Sequence, residues 1–417
     1  STNTINLQEQ LVRKDLVFLK KILHFPFKSV LVKGRRNYVC KRKLNYLKTV
    51  ADDIFAEEPE KEAELMKILN WVEKTENGTR SDINFVINSE VWDKIASESD
   101  LCLKTKCPFF NDCFFMKARK EIFSADILIV NHHLLLSDAN LKDNNNGLLP
   151  EYEHLIIDEA HNFNDIATYH LGIPFNYYSL NRFLEKIDNS DFSLMTRLRN
   201  SLSGQDISNK KEIYNIIDNK IFNQVRKIKE QSEDYFQELN IFFVNRDEKM
   251  LRLTENIINT SSWKKIREKG SLIAGFLNNL GKFLHQLFKK LNLISSETLT
   301  DIEERLIELE SAINNCQQFV DSLNFNLDCD DDNFVFWLEK ENNNQSGKVS
   351  QKNAPLNISE ILPDILWDSM DNVVLTSATL TVNNSFQFFK RSLGLNKSQE
   401  LRVKSPFDYS QQAKLLI

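Results

Sequence analysis

Three short apolar runs punctuate the chain, and each ends in polar residues. Ile127-Leu128-Ile129-Val130 leads into Asn131-His132, Leu155-Ile156-Ile157 into Asp158-Glu159, and Val373-Val374-Leu375 into Thr376-Ser377. Runs of this length and composition suit strands buried on both faces, as in a parallel sheet covered by helices. In such sheets chemistry gathers just past the C-terminal strand ends, which is where these polar residues fall. From about 175 to 330 the period changes. Ile221, Val225, Ile228, Tyr235, Leu239 and Phe242 follow helical spacing. Ile302, Leu306, Leu309, Ile313, Cys316, Val320 and Leu323 step by four and three without a break, which is a heptad seam. Two such seams predict an all-helical insert with antiparallel, coiled-coil-like pairing, or ordinary amphipathic helices of a globular core; the pattern leaves both open. The expected fold class is α/β, a parallel sheet with a mostly helical insert. Asn144-Asn145-Asn146 and Asn342-Asn343-Asn344 read as exposed loops. The chain re-enters the sheet near Ala354-Pro355-Leu356, and the acidic run from Glu57 to Glu64 reads as a solvated helix face.

Bulk properties change this picture little. The 417 residues suggest two to three domains. Apolar content of 41% and charged content of 27% are ordinary for a globular protein. No apolar run is long enough to cross a membrane, the first residues do not resemble a secretory signal, and a cytoplasmic monomer is expected. Net charge is −6, yet residues 1–50 hold twelve Lys and Arg against Glu9 and Asp15. Phosphate binding needs such local density, at Lys33, Arg35 and Arg36 above all, rather than a basic total. A solvated basic face reads the charge equally well.

The chemistry-bearing pattern is Asp158-Glu159-Ala160-His161 after a buried strand. Nucleotide hydrolysis needs one carboxylate to hold Mg²⁺ through its water shell and another to orient the attacking water. Asp158 suits the metal, Glu159 the water, and His161 a link to neighbouring strands; the plain reading is a helix-capping Asp beside an accidental Glu. Ser377, Ala378 and Thr379 after the third run can hydrogen-bond the acidic turn and relay its state. Cys40, Cys102, Cys107 and Cys113 put three thiols close together and one far away. Their gaps are looser than zinc knuckles and favour a [4Fe–4S] cluster, with zinc and unliganded core cysteines left open. Thr2, Thr4 and Gln8 offer hydroxyl and amide donors suited to the phosphates of a single strand, or simply a helix cap. No Gly-x4-Gly-Lys-Ser/Thr phosphate loop occurs; Gly275-x5-Gly281-Lys282-Phe283 is one residue too long and lacks the hydroxyl.

Taken in order, these motifs resemble bacterial DinG-type helicases of the XPD-like branch of superfamily 2. Residues 1–10 are similar to motif Ia, Lys33-Gly34-Arg35-Arg36-Asn37-Tyr38-Val39-Cys40 to the first cluster-ligand segment, and Cys102, Cys107 and Cys113 to the other ligands. Asn131-His132 follows the strand before the Asp158-Glu159-Ala160-His161 box, Thr376-Ser377-Ala378-Thr379-Leu380 is similar to motif III, and Ser405-Pro406-Phe407 to the entry into a second motor domain.

The resemblance implies a RecA-like motor domain in three parts (1–39, 116–174, 351–404). It implies an iron–sulfur domain over 40–115, a helical arch over 175–350, and the start of a second motor domain at 405–417. It also implies ATP- and Mg²⁺-dependent 5′→3′ unwinding of single-stranded and forked DNA, a role in DNA repair, and DNA contacts at Thr2, Thr4, Gln8, Lys33, Arg35, Arg36, Asn131 and His132. A phosphate loop would be expected before Ser1 and a second motor domain after Ile417, so the chain reads as a fragment that is inactive alone. Leu415-Leu416-Ile417 reads as strand interior. The competing expectation is a metal-bearing DNA-binding or scaffold protein without ATPase activity.

Overall fold

A computed structural model describes residues 1–417 apart from 50, 52–54, 56–57, 100, 143–146, 189–192, 208, 245–249, 296–300, 341–347 and 406–417. The two Asn-rich loops, Pro406-Phe407 and the Leu415–Ile417 strand therefore lie outside the described residues.

The α/β expectation holds. Strand β1 (Ser29–Leu31) pairs in parallel with β2 (Ile127–Ile129), and β3 (His154–Asp158) in parallel with β7 (Asn372–Thr376). The first two residues stitch the pairs together. Thr2 N–H donates to the Val130 carbonyl at 3.0 Å, His132 N–H to the Thr2 carbonyl at 3.1 Å, and Asp158 N–H to the Ser1 carbonyl at 2.8 Å. The lateral order is thus β1, β2, residues 1–2, β3, β7. Each parallel pair is interrupted by a long excursion: the cysteines lie between β1 and β2, and the helical insert between β3 and β7. A parallel pair requires a crossover, so a crossover is where whole units can be inserted without breaking the sheet.

Burial differs from the expectation. Leu155 and Ile157 are buried, but the alternate residues Ile156 and Val374 are 60% and 52% exposed. Among the described residues these strands are covered on one face only. Ile157, Leu155, Phe163, Leu136, Leu362 and Trp367 form that covered core. A second core gathers Tyr38, Leu44, Phe55, Ile68, Trp92 and Phe115 around the cysteine segments. A third occupies the insert.

The insert is not all helical. Strands β4 (Met250–Arg252), β5 (Phe334–Lys340) and β6 (Val349–Pro355) form an antiparallel sheet beside the helices. Strand β6 runs across position 350. The two sequence-visible seams, on Phe222–Val244 and Ile302–Asp328, both pack on a third helix, Ser261–Leu291. That helix buries Trp263, Ile266, Gly270, Ile273, Leu277, Leu280, Leu284, Leu287 and Leu291, an unbroken three-four alternation that the seams needed between them. Among the described residues no helix is long and apolar enough to cross a membrane.

Candidate functional site

Strand β3 delivers Asp158 to the sheet's C-terminal edge. Glu159 takes a left-handed backbone, φ 51°, and the chain turns through Ala160–Asn162 into the helix Phe163–His170. The turn is anchored from below: Ala160 and Phe163 are buried, and the Phe163 ring packs on His132 and Trp367. Asp158 Oδ2 accepts a hydrogen bond from Thr2 Oγ1 at 3.1 Å. Glu159 Oε2 lies 3.2 Å from His161 Nδ1. That same nitrogen is hydrogen-bonded to Ser377 Oγ at 2.7 Å. The register explains the meeting, because Asp158 lies opposite Thr376 and both chains then turn out of the sheet together. Thr379 N–H points back to Ser377 Oγ at 3.4 Å, and Ala378 and Thr379 stay exposed. Two carboxylates at a strand edge, one tied to the Thr2 hydroxyl and one to the His161 imidazole, which itself reaches Ser377 on the next strand, can hold a hydrated divalent ion and orient a water.

The four cysteines converge as well. Cys40 precedes the helix Lys41–Thr49, and Cys113 occupies the N-cap position of Phe114–Phe123. Cys102 and Cys107 flank the tight turn Lys104–Lys106, where Lys104 adopts φ 50° and its N–H reaches Cys102 Sγ at 3.3 Å. All four are free thiols and line one cavity of about 30 Å³, together with Arg35, Arg42, Lys43 and Lys104. Burial pushes the Cys107 thiol up, and the neighbouring Cys40 and Cys102 add to the rise. Cationic side chains and a helix N-terminus are what favour thiolate over thiol. Among the described residues no three His, Cys, Asp or Glu side chains converge tightly enough to hold a single metal ion.

The expected nucleic-acid residues are largely engaged within the protein. Thr2 and Gln8 are buried, and Thr4 caps its helix by accepting from Leu7 N–H at 3.2 Å. Asn131 Oδ1 accepts from Leu134 N–H. His132 is buried with Nδ1 on Ser1 Oγ at 2.7 Å, and burial pulls its pKa down to about 4, so the ring is neutral. Lys33 bonds Thr79 and Ser81, and Arg35 bonds Ser97 and stacks on Phe115. Arg36 pairs with Asp93 at 2.6 Å and stays half exposed. Sequence reasoning missed a further set. Arg42 pairs with Glu304, Lys106 with Glu303, Lys186 with Glu98, and Arg182 with Asp93, docking the cysteine unit onto the insert, while Lys43 braces Glu98 from within the unit. The adjacent Glu303-Glu304 at a helix start was the available signal.

Residues 4–180 match the model of the DEAD_2 family. The whole chain is similar to curated relatives: the 3'-5' exonuclease DinG of Bacillus subtilis at 26% identity, covering 44% of that protein; the ATP-dependent DNA helicase YoaA of Escherichia coli at 25%, covering 58%; and the ATP-dependent DNA helicase DinG of Photobacterium profundum at 27%, covering 60%. The chain spans about half the length of the curated relatives it matches.

Proposed function

We propose, from the similarity of the whole chain to relatives named DinG and YoaA and the DEAD_2 match over residues 4–180, that it forms the metal- and water-directing half of an ATP-driven DNA motor. The observation that carries this reading is the contact between His161 and Ser377, which joins the carboxylate turn to the neighbouring strand end. Asp158 takes the Mg²⁺ of ATP and Glu159 the attacking water. His161 and Ser377, with Ala378 and Thr379 behind, pass the state of that turn to strand β7. A pure binding or scaffold protein has no use for such a relay.

The domain assignment follows the same reading: a motor domain in three parts, an iron–sulfur unit carrying Cys40, Cys102, Cys107 and Cys113, and an arch made of the insert. The four thiols hold a [4Fe–4S] cluster. Bound there, such a cluster would tie together the segments that carry Cys40, Cys102, Cys107 and Cys113. The substrate is single-stranded or forked DNA, with 5′→3′ movement as in the helicases the chain resembles. Thr2 supports the carboxylate turn from the interior, and Arg36 faces the strand.

The test uses the gene product that contains this chain. Glu159→Gln should lower DNA-stimulated ATP hydrolysis by at least about a hundredfold, the scale of losing a positioned base, while DNA affinity is kept. Turnover at the wild-type rate would refute the assignment.

A further inference from the structure

The basic character of the insert is concentrated where two helices touch. From Ser271 to Leu291 the chain contains no Asp or Glu, but does contain Lys282, Lys289 and Lys290. From Asn219 to Lys229 it contains none either, with Lys220, Arg226, Lys227 and Lys229. In a protein of net charge −6, two acid-free stretches side by side concentrate positive field locally. They meet along one seam. Gln224 Nε2 donates to the Phe276 carbonyl at 3.0 Å, and Lys220 Nζ to Gln286 Oε1 at 3.3 Å. The Lys220 ammonium lies 5.4 Å from the Phe283 ring centre, and that of Lys227 lies 5.9 Å from Phe276.

The positions repeat. Lys220 and Lys227, Phe276 and Phe283, and Lys282 and Lys289 are each two helical turns apart, which is about 10 Å, the length of roughly three nucleotides of a stacked strand. Phe276 and Phe283 are half-buried, while Lys227, Lys282 and Lys289 are exposed. None of these three lysines meets a carboxylate among the described residues. Lys290, by contrast, is paired with Glu212 at 2.5 Å. Cations alternating with part-exposed aromatic rings suit a single strand, which offers both phosphates and unstacked base faces; a duplex hides the latter.

We propose that this seam is a second contact site for single-stranded nucleic acid, with Lys227, Lys282 and Lys289 on phosphates and Phe283 against a base. The proposal rests on the reading of the chain as a DNA-binding motor. The test measures the affinity of the chain for a labelled oligothymidylate between about 50 and 200 mM salt. Replacing Lys227, Lys282 and Lys289 together by Gln changes exposed side chains only. It should make the plot of log affinity against log salt shallower by about 2, close to 0.7 for each of three lost phosphates. Phe283→Leu keeps an apolar side chain in place. It should weaken binding roughly five- to a hundredfold with the slope unchanged. A triple variant with the wild-type slope overturns the seam while leaving the motor reading standing. Wild-type affinity in Phe283→Leu overturns the base contact. An unaltered chain with no salt-dependent binding overturns the DNA-binding reading, and the seam with it.

Discussion

His161 is the residue on which the proposed coupling turns, because its Nδ1 is shared between Glu159 and Ser377. A hydroxyl on one strand can sense the carboxylate on the next only through such a bridge. Ser377→Ala removes the far end and leaves both carboxylates in place. In the gene product containing the chain, it should reduce unwinding per ATP consumed more than it reduces hydrolysis itself. Equal loss of both would mean that Ser377 only supports the fold. The cysteines make a separate prediction. Protein purified anaerobically should be brown and contain iron, and Cys107→Ser should lose the colour. A colourless protein loaded with zinc would overturn the cluster assignment.

At the scale of elements, the junction between sheet and insert is closed by backbone contact rather than by side-chain bulk. A methyl group on Gly172 would lie 2.2 Å from the Asn353 carbonyl oxygen. Asn353 in turn donates to the Ile173 carbonyl at 2.7 Å and accepts from Ile173 N–H at 2.9 Å, with Asn326 bonded alongside. Gly172→Ala should cost about 1–3 kcal/mol, the usual scale of overpacking, read as a lower midpoint in denaturant. An unchanged midpoint would show that β6 shifts freely. The seams on Phe222–Val244 and Ile302–Asp328 were visible in the apolar spacing. Their partner, Ser261–Leu291, shows an equally regular pattern, but its seam includes Gly270, where Leu327 and Tyr235 press against the helix. A glycine at a packing position carries no hydrophobic signal, and close approach of two helices is a property of the pair. Strands β4 to β6 were missed for a related reason: β5 and β6 are far from β4 in sequence, and the stretch was read by its helical neighbours.

Across the whole molecule, the cysteine unit is held to the insert by ion pairs: Arg42 with Glu304, Lys106 with Glu303, and Glu98 with Lys186, with Lys43 bracing Glu98 from its own unit. Exposed pairs such as Lys106 with Glu303 contribute little each and weaken as salt rises. Raising salt from about 50 to 500 mM should therefore speed hydrogen exchange at 101–107 and at the start of Ile302–Asp328. Exchange that ignores salt would point to apolar docking. Acid should act in the same direction. Burial alone would raise the Glu98 carboxyl, but Lys43 and Lys186 hold it below its ordinary value, whereas burial pulls the Lys43 ammonium down. Glu98 governs the acid side, because it is the carboxylate of the pair. A depressed carboxyl stabilises docking above its unfolded value of 4.5, and that contribution is lost as pH falls through the lower folded value. Docking that persists unchanged well below that range would exclude the Glu98 pairs as its cause.

The sequence by itself determined the local parts: the strand ends at Asp158 and Ser377, the four thiols, the helical periods and the order of motifs. Each is written within a few residues and needs no partner to be recognised. Tertiary structure decided the rest. It turned Thr2, Gln8 and His132 inward, where a surface role had been expected, because the first residues lie between β2 and β3. Burial of a residue depends on what the rest of the chain brings against it, and neighbours in sequence do not encode that. It brought Cys40 to three thiols more than sixty residues away, gave β3 and β7 one covered face instead of two, and joined His161 to Ser377 across 216 residues. Such contacts arise from strand register and the closure of long crossovers, which only the folded chain supplies.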